Sequence, residues 1–141
     1  MAASQATIGL GTTFSYLVTA PSTYAIVGEA VSIQPPQPVR ETVDVTHLSS
    51  PNGTREFIGT LRDGGDAEVT FNFTDTAYDI ASDLFLDDDL QKFKITYPDG
   101  GTEIFDGIVT GKPSEAIEVD SVRRFSLPIK VSGLPVYTPA P

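Results

Sequence analysis

Polar and apolar residues alternate most strictly from Asp66 to Phe73, where Asp66, Glu68, Thr70 and Asn72 share one side and Ala67, Val69, Phe71 and Phe73 the other. A period of two with one wet side predicts a half-buried antiparallel strand. Arg40–Thr46 has the same period, with Thr42, Asp44 and Thr46 opposite Val43 and Val45, and the two stretches read as strands of one sheet. Gln91–Tyr97 turns Phe93, Ile95 and Tyr97 inward, Pro98-Asp99-Gly100-Gly101 is hairpin-turn chemistry, and the chain returns as Thr102–Thr110. In Val122–Val131 the apolar face is Phe125, Leu127, Ile129 and Val131, and Pro128 on the other face, lacking a ladder donor, predicts an edge strand. Thr12–Thr19 and Tyr24–Ile33, joined by an Ala20-Pro21-Ser22 turn, are rich in β-branched and aromatic residues, and Glu115–Val119 is a shorter candidate.

One segment changes period. Ala77, Ile80, Ala81, Leu84 and Phe85 recur at helical spacing, and Thr76 with Asp79 resembles a capping box. Asp87-Asp88-Asp89 would oppose the negative end of the helix dipole, so the helix should stop near Leu86. The sum is a mainly β fold: a β-sandwich or partly open barrel with one packed α-helix, a long hairpin loop and extended termini. The expected organisation is a single domain over residues 1–141, with an N-terminal arm at 1–11 and a C-terminal arm at 132–141.

Between the strands at Arg40–Thr46 and Asp66–Phe73 lie roughly twenty residues with no clear period. Ser49-Ser50-Pro51-Asn52-Gly53-Thr54 and Asp63-Gly64-Gly65-Asp66 are turn chemistry, and Arg55-Glu56-Phe57-Ile58 mixes charge with large apolar side chains. Adjacent antiparallel strands need a connection of only about two to five residues. The stretch 47–65 therefore reads as a long loop with a task of its own.

Nineteen acids against nine bases give a net charge of −10. A duplex carries about one negative charge per 1.7 Å of its axis, so this chain should not grip nucleic acid. Apolar and charged fractions are ordinary for a folded protein, and no apolar run approaches the length of a membrane span. The first residues lack the basic start and apolar core of a secretory signal. Chemistry finds little to work with. His47 is the one histidine and cysteine is absent, which leaves no zinc set; no nucleophile elbow appears; Gly9-Leu10-Gly11 lacks the third glycine of a dinucleotide fingerprint. The Asp87–Asp89 run lacks the glycine and bidentate acid of a calcium loop. No catalytic, metal or cofactor site is expected. Arg123-Arg124 and Lys92 with Lys94 are short pairs on strands, suited to meeting acids on another copy of the chain.

The order Val43-Asp44-Val45-Thr46-His47-Leu48, Ser50-Pro51-Asn52-Gly53, Arg55-Glu56-Phe57-Ile58, Gly59-Thr60-Leu61-Arg62-Asp63-Gly64-Gly65-Asp66 and Val69-Thr70-Phe71 resembles the major tail tube proteins of long-tailed, non-contractile bacteriophages. The helix that follows and the Pro98–Gly101 hairpin extend the likeness over most of the chain. The resemblance implies a structural virion protein, not an enzyme, with no cofactor. Its copies would form six-membered rings stacked into a hollow tail that conducts DNA into the host without binding it specifically. Four strands from each subunit would enter one inner barrel. Twenty-four strands at about 4.8 Å make a circle roughly 37 Å across before tilt widens it, enough for a duplex. The implied partners besides itself are a tape-measure protein, a tail terminator and tail-tip proteins. The implied location is the virion tail, after synthesis in the host cytoplasm, with no membrane insertion.

Within that picture Asp44, Asp66 and Glu68 face the lumen and keep DNA off the wall, over a screening length of about 8 Å. The opposite side, with Val43, Val45, Val69, Phe71 and Phe73, would be core. Loop 47–65 would order against the adjacent ring, Arg55 and Glu56 giving charge-assisted contacts and Phe57 and Ile58 filling one hydrophobic socket. Alternatively, Phe57 and Ile58 close the end of the chain's own core. Arg123 and Arg124 would meet acids across a subunit boundary. Two other readings stay open. An inner tube protein of a contractile tail or secretion needle shares fold and symmetry. A β-sandwich adhesion or carbohydrate-binding module calls for clustered aromatics, and no loop carries them.

Overall fold

The structure, a computed structural model, describes residue 4, residues 9–19 and residues 23–141. The expected Ala20-Pro21-Ser22 turn and most of the expected arm at 1–11 lie outside the described residues. Among the described residues, nine strands and one α-helix follow in order: β1 (Thr13–Thr19), β2 (Thr23–Ile26), β3 (Ala30–Gln34), β4 (Val39–Asp44), β5 (Phe57–Asp63), β6 (Asp66–Asn72), α1 (Asp75–Leu86), β7 (Gln91–Thr96), β8 (Thr102–Val109) and β9 (Arg124–Thr138). Seven strands make one antiparallel sheet in the order β2-β1-β7-β8-β9-β6-β3, and β4 and β5 make a second sheet of two.

Five phenylalanines decide the shape of the large sheet. Phe14 (β1) stacks on Phe93 (β7) with ring centroids 5.5 Å apart, Phe93 leans on Phe105 (β8), and Phe71 (β6) stacks on Phe125 (β9) at 5.4 Å. Phe14 also meets Phe71 edge to face at 6.1 Å. Their strands stand four steps apart in the sheet, about 19 Å if it were flat. The sheet must therefore curl until β1 and β6 face each other across one core. Among the described residues it does not close, since β2 and β3 each keep one edge unpaired. All five rings are buried; each contributes about 1.5–3 kcal/mol by leaving water.

α1 lies on the concave side. Ala77 and Ala81 are wholly buried and Leu84 nearly so, and their small size lets the helix sit close to the rings. Thr74 caps it, its Oγ1 accepting from Ala77 N at 3.2 Å, so the cap lies two residues before the expected Thr76. Asp87 closes it as expected, and its carboxylate accepts from Asp89 N and from Gln91.

The structure differs from the sequence reading in several places. Tyr24–Ile33 is two strands on opposite edges of the sheet. The chain breaks at Val27-Gly28-Glu29 to pass the helix, where a Cβ on Gly28 would lie 2.6 Å from Ala77 Cβ. Glu115–Val119 is not a strand; only Ser114 bridges to Phe125. Pro128 is interior, because β9 lies between β8 and β6. Its carbonyl accepts from Thr110 N at 3.0 Å, just past the end of β8, so its missing N–H falls where the β8 ladder has stopped. The expected arm at 132–141 is largely strand, since β9 runs on to Thr138 and pairs it with Thr102 across a bulge.

That far end is fastened by Tyr97, whose hydroxyl donates to Glu103 Oε2 at 2.8 Å beside the Tyr137 ring. Burial, and then the Glu103 carboxylate, raise the Tyr97 phenol well above its ordinary value of 10.0. A raised folded-state pKa means the contribution is complete below about pH 10 and is lost as pH rises beyond it. Thermal melts between pH 8 and 11 should show wild type losing more stability at the alkaline end than Tyr97→Phe, which should cost about 1 kcal/mol at neutral pH. Parallel pH profiles would refute this role for Tyr97.

Candidate functional site

The stretch expected as loop 47–65 is in part a strand, and its partner is not β6. β4 and β5 pair only with each other among the described residues, through Val43↔Ile58, Thr42↔Gly59, Arg40↔Arg62 and Val39↔Asp63. Every residue of both strands is exposed. A lone hairpin in water is marginal at best, because neither face is covered.

Register sorts its side chains. One extra residue in β5 opposite Glu41 keeps Arg40, Thr42, Asp44, Phe57, Gly59 and Arg62 on one side. The other side carries Val39, Glu41, Val43 and Ile58, with Val45 following on. It is bare: Val39 is 58% exposed, Ile58 55%, Val43 48% and Val45 39%. Val43 and Val45, expected in the core, are thus outside it, while Val69 and Phe71 are wholly buried. Phe57 and Ile58 are both more than half exposed and do not close the core. As strand neighbours they point to opposite faces and cannot share one socket.

The tip between the strands holds its own shape. Val45 N donates to Glu56 O at 2.8 Å, and Glu56 N donates to Thr46 Oγ1 at 2.8 Å. Ser50 Oγ donates to Glu56 Oε2 at 2.8 Å and accepts from His47 N at 2.9 Å. Ser49 N donates to His47 Nδ1, which puts the imidazole proton on Nε2, 3.3 Å from Glu56 Oε2. Arg55 Nη1 meets Asp44 Oδ2 at 3.0 Å. Thr46, through its side chain and then its backbone N–H, holds the Asp44 carboxyl below its ordinary range, with Arg55 adding less. Arg55 and Glu56 are therefore engaged inside the hairpin, and the tip is ordered within one copy.

The three expected lumen acids are not brought together. Asp44 stands on the hairpin's polar side. Asp66 and Glu68 stand on the convex side of the large sheet, with Lys130 3.4 Å from Asp66 and a Lys92–Asp106 pair at 3.0 Å on the same side. Lys94 lies over the Tyr24 ring, 4.4 Å from its centroid. Arg123 stacks on Phe73 at 3.6 Å, and Arg124 Nε lies 3.4 Å from Asn72 Oδ1. Sequence reasoning missed Arg40 and Arg62. The register that sets them face to face depends on the bulge, which blurs the period through Gly59-Thr60-Leu61.

Known proteins give this geometry a context. The family described as lambda phage tail tube protein matches residues 8–138. Among solved structures, the tail of an empty gene transfer agent particle, refined with C6 symmetry, is similar at a TM-score of 0.77 and 22% identity, over 95% of this chain and 100% of that one. The six-fold symmetrised baseplate of the anti-feeding prophage contains a chain similar at 0.73 and 7% identity, over 96% of this chain and 97% of that one. The SPP1 tail tube is similar at 0.65 and 13% identity, over 92% of this chain and 77% of that one. No curated protein matches the sequence.

A depressed carboxylate pKa contributes order that is present above the ordinary value of 3.8 and lost as pH falls through the folded-state value. Asp44→Ala should speed amide hydrogen exchange several-fold at Val45, Thr46 and Glu56 and leave β6 and β9 unchanged. Lowering the pH below about 3.8 should loosen the wild-type tip the same way. Unaltered exchange at Thr46 in the variant would show that Asp44 does not organise the tip.

Proposed function

The chain belongs to the lambda phage tail tube protein family, and we propose that its copies close into rings of six, stacked into the tube, with the β4–β5 hairpin joining one copy to the next. As a member it is a structural virion protein of a phage-like tail, not an enzyme. The observation that carries the proposal is the bare apolar side of the hairpin. Val39, Val43, Val45 and Ile58 are about half exposed in one copy. Covering the rest yields about 1 kcal/mol each, half the value of fully burying such a side chain. The ordered tip makes the hairpin a stiff arm that needs little further ordering to dock. The free edges of β2, β3, β4 and β5 favour the same reading, since ring closure onto neighbours removes edges that invite aggregation.

Six-fold symmetry is supported by the C6 gene transfer agent tail and the six-fold baseplate whose chains share this fold. A terminator at one tube end is supported by the likeness, at 9% identity, to a chain from a sheath/tube terminator structure of a contractile injection system. A tape-measure protein and tail-tip proteins complete the proposed partners. An inner tube of a contractile machine is the second reading, favoured by the contractile injection system chain that shares the fold; the family match favours the lambda type.

In the ring, Ile58 belongs to the docking side and Phe57 to the opposite side, where it reaches a different neighbour, while Arg55 and Glu56 shape the tip. Arg123 and Arg124 face acids across a boundary. Asp66 and Glu68 point to the bore, a placement supported by their exposure on the polar side of the large sheet, while Asp44, directly opposite Phe57, faces the neighbour that Phe57 reaches. Lys130 offsets Asp66, which leaves Glu68 the stronger repeller of DNA.

Ile58→Asp and Val43→Asp should each fold with wild-type circular dichroism and melting temperature, yet fail to form tubes under negative-stain microscopy. Normal tubes from both variants would defeat the docking role of the hairpin. Asp66→Lys combined with Glu68→Lys should leave tubes intact and slow genome release from particles; release at the wild-type rate would remove these acids from the bore.

A further inference from the structure

Arg40 and Arg62 stand directly opposite each other across the hairpin, on its polar side. Like charges in that position repel. Among the described residues neither makes an ion pair or a side-chain hydrogen bond. Arg40 lies against its own hairpin. Its guanidinium lies flat across Gly59, where an added Cβ would sit 2.3–2.5 Å from Nε, Cζ and Nη2. A side chain at 59 would displace the fork from this position. Two unpaired guanidinium groups on directly opposed strand residues form a receptor for two carboxylates.

The same molecule carries the complement. Asp75, Asp79 and Asp83 recur one helical turn apart on the exposed side of α1, and among the described residues none has a cation or a side-chain donor. Carboxylates at that spacing repel along the helix unless a cation lies between them. Side chains at i and i+4 of a helix are about 5–6 Å apart at Cβ, and directly opposed strand residues about 4.5–5.5 Å. The two spacings match, so two guanidinium groups can address two successive aspartates, each in bidentate geometry.

We propose that the Arg40–Arg62 pair of one copy docks on the Asp75-Asp79-Asp83 ridge of α1 in another copy. The contact rests on the tail tube reading, because it needs neighbours. It is heterologous: each copy carries both halves on different surfaces, so the contact repeats from copy to copy and closes a ring or extends a stack. Carboxylates of a second copy are favoured over phosphates of passing DNA. The ridge supplies them at the matching spacing on every copy, and a guanidinium pair free to bind the backbone would retain the genome.

Charge reversal tests this. Arg40→Glu with Arg62→Glu, and separately Asp79→Lys with Asp83→Lys, should fold normally and raise the protein concentration needed for tubes at least tenfold. Combining all four substitutions should restore tubes, since the pairing is then reversed. The neutral variants Arg62→Gln and Asp79→Asn should each weaken assembly less, and added salt should weaken the wild type through screening. Wild-type tubes together with unaffected reversals, or with no rescue in the combined variant, would overturn this contact while leaving the tail tube reading in place. Normal tubes from Arg40→Glu/Arg62→Glu that release DNA faster would overturn it in favour of a phosphate contact. A wild type that never forms rings or tubes would overturn the assembly reading and this contact with it.

Discussion

The meeting of Phe14 and Phe71 across a sheet that should hold them far apart is the contact on which the architecture turns. It draws β1 toward β6, curls seven strands around one small-faced helix, and closes the apolar core within a single chain. That core is assembled from residues of one chain alone. Because the curl stops short of closure, it leaves free edges and a hairpin with no work to do inside the chain. Folding and assembly thus draw on separate sets of residues, and side chains on the hairpin are free to serve neighbours without weakening the core.

The hairpin also resolves a conflict between order and exposure. A two-stranded ribbon of this length is weak alone. Here the tip supplies what the faces lack: Asp44, Thr46, Ser50 and Glu56 satisfy the turn's backbone donors from within. The ribbon can then keep one side apolar and bare. A flexible loop would lose ordering entropy on docking; a prefolded arm loses less, so a modest apolar face is enough to hold a neighbour.

Much of this was legible in the sequence. Strict alternation located β6, β7 and the start of β9, helical spacing located α1, and the Pro98–Gly101 turn located the β7–β8 hairpin, because in each the local pattern and the tertiary environment agree. The failures share one cause. β5 was hidden because Gly59, which has no side chain, and the bulge erase the period at Thr60-Leu61. The end of β9 was hidden because Pro135 and Gly133 look like a tail, though a bulge carries the pairing past them. β2 and β3 merged because the break at Gly28 is imposed by Ala77, far along the chain. Of the candidate site, alternation gave the apolar side at Val43 and Val45, but it could not tell core from interface. Both demand the same residues, and only the missing cover distinguishes them.

Charge completes the division of labour. An acidic chain has nine bases for nineteen acids, so where each cation goes is informative. Lys92, Lys130 and Arg55 are joined to acids of their own chain, while Lys94 and Lys112 lie over Tyr24 and Tyr78. Arg40, Arg62, Arg123 and Arg124 likewise have no carboxylate partner among the described residues, with Arg123 stacked on Phe73 and Arg124 reaching Asn72. Arginine's planar fork loses less hydration and binds carboxylates in two places at once, which suits contacts made and desolvated between chains. Copies of one strongly acidic protein repel at long range, and ordinary salt shrinks that repulsion to about 8 Å. Within that distance the proposed pairing of arginines with a neighbour's aspartates would decide which surfaces meet. The long-range charge keeps unassembled copies apart, and the local exceptions to it select the contact.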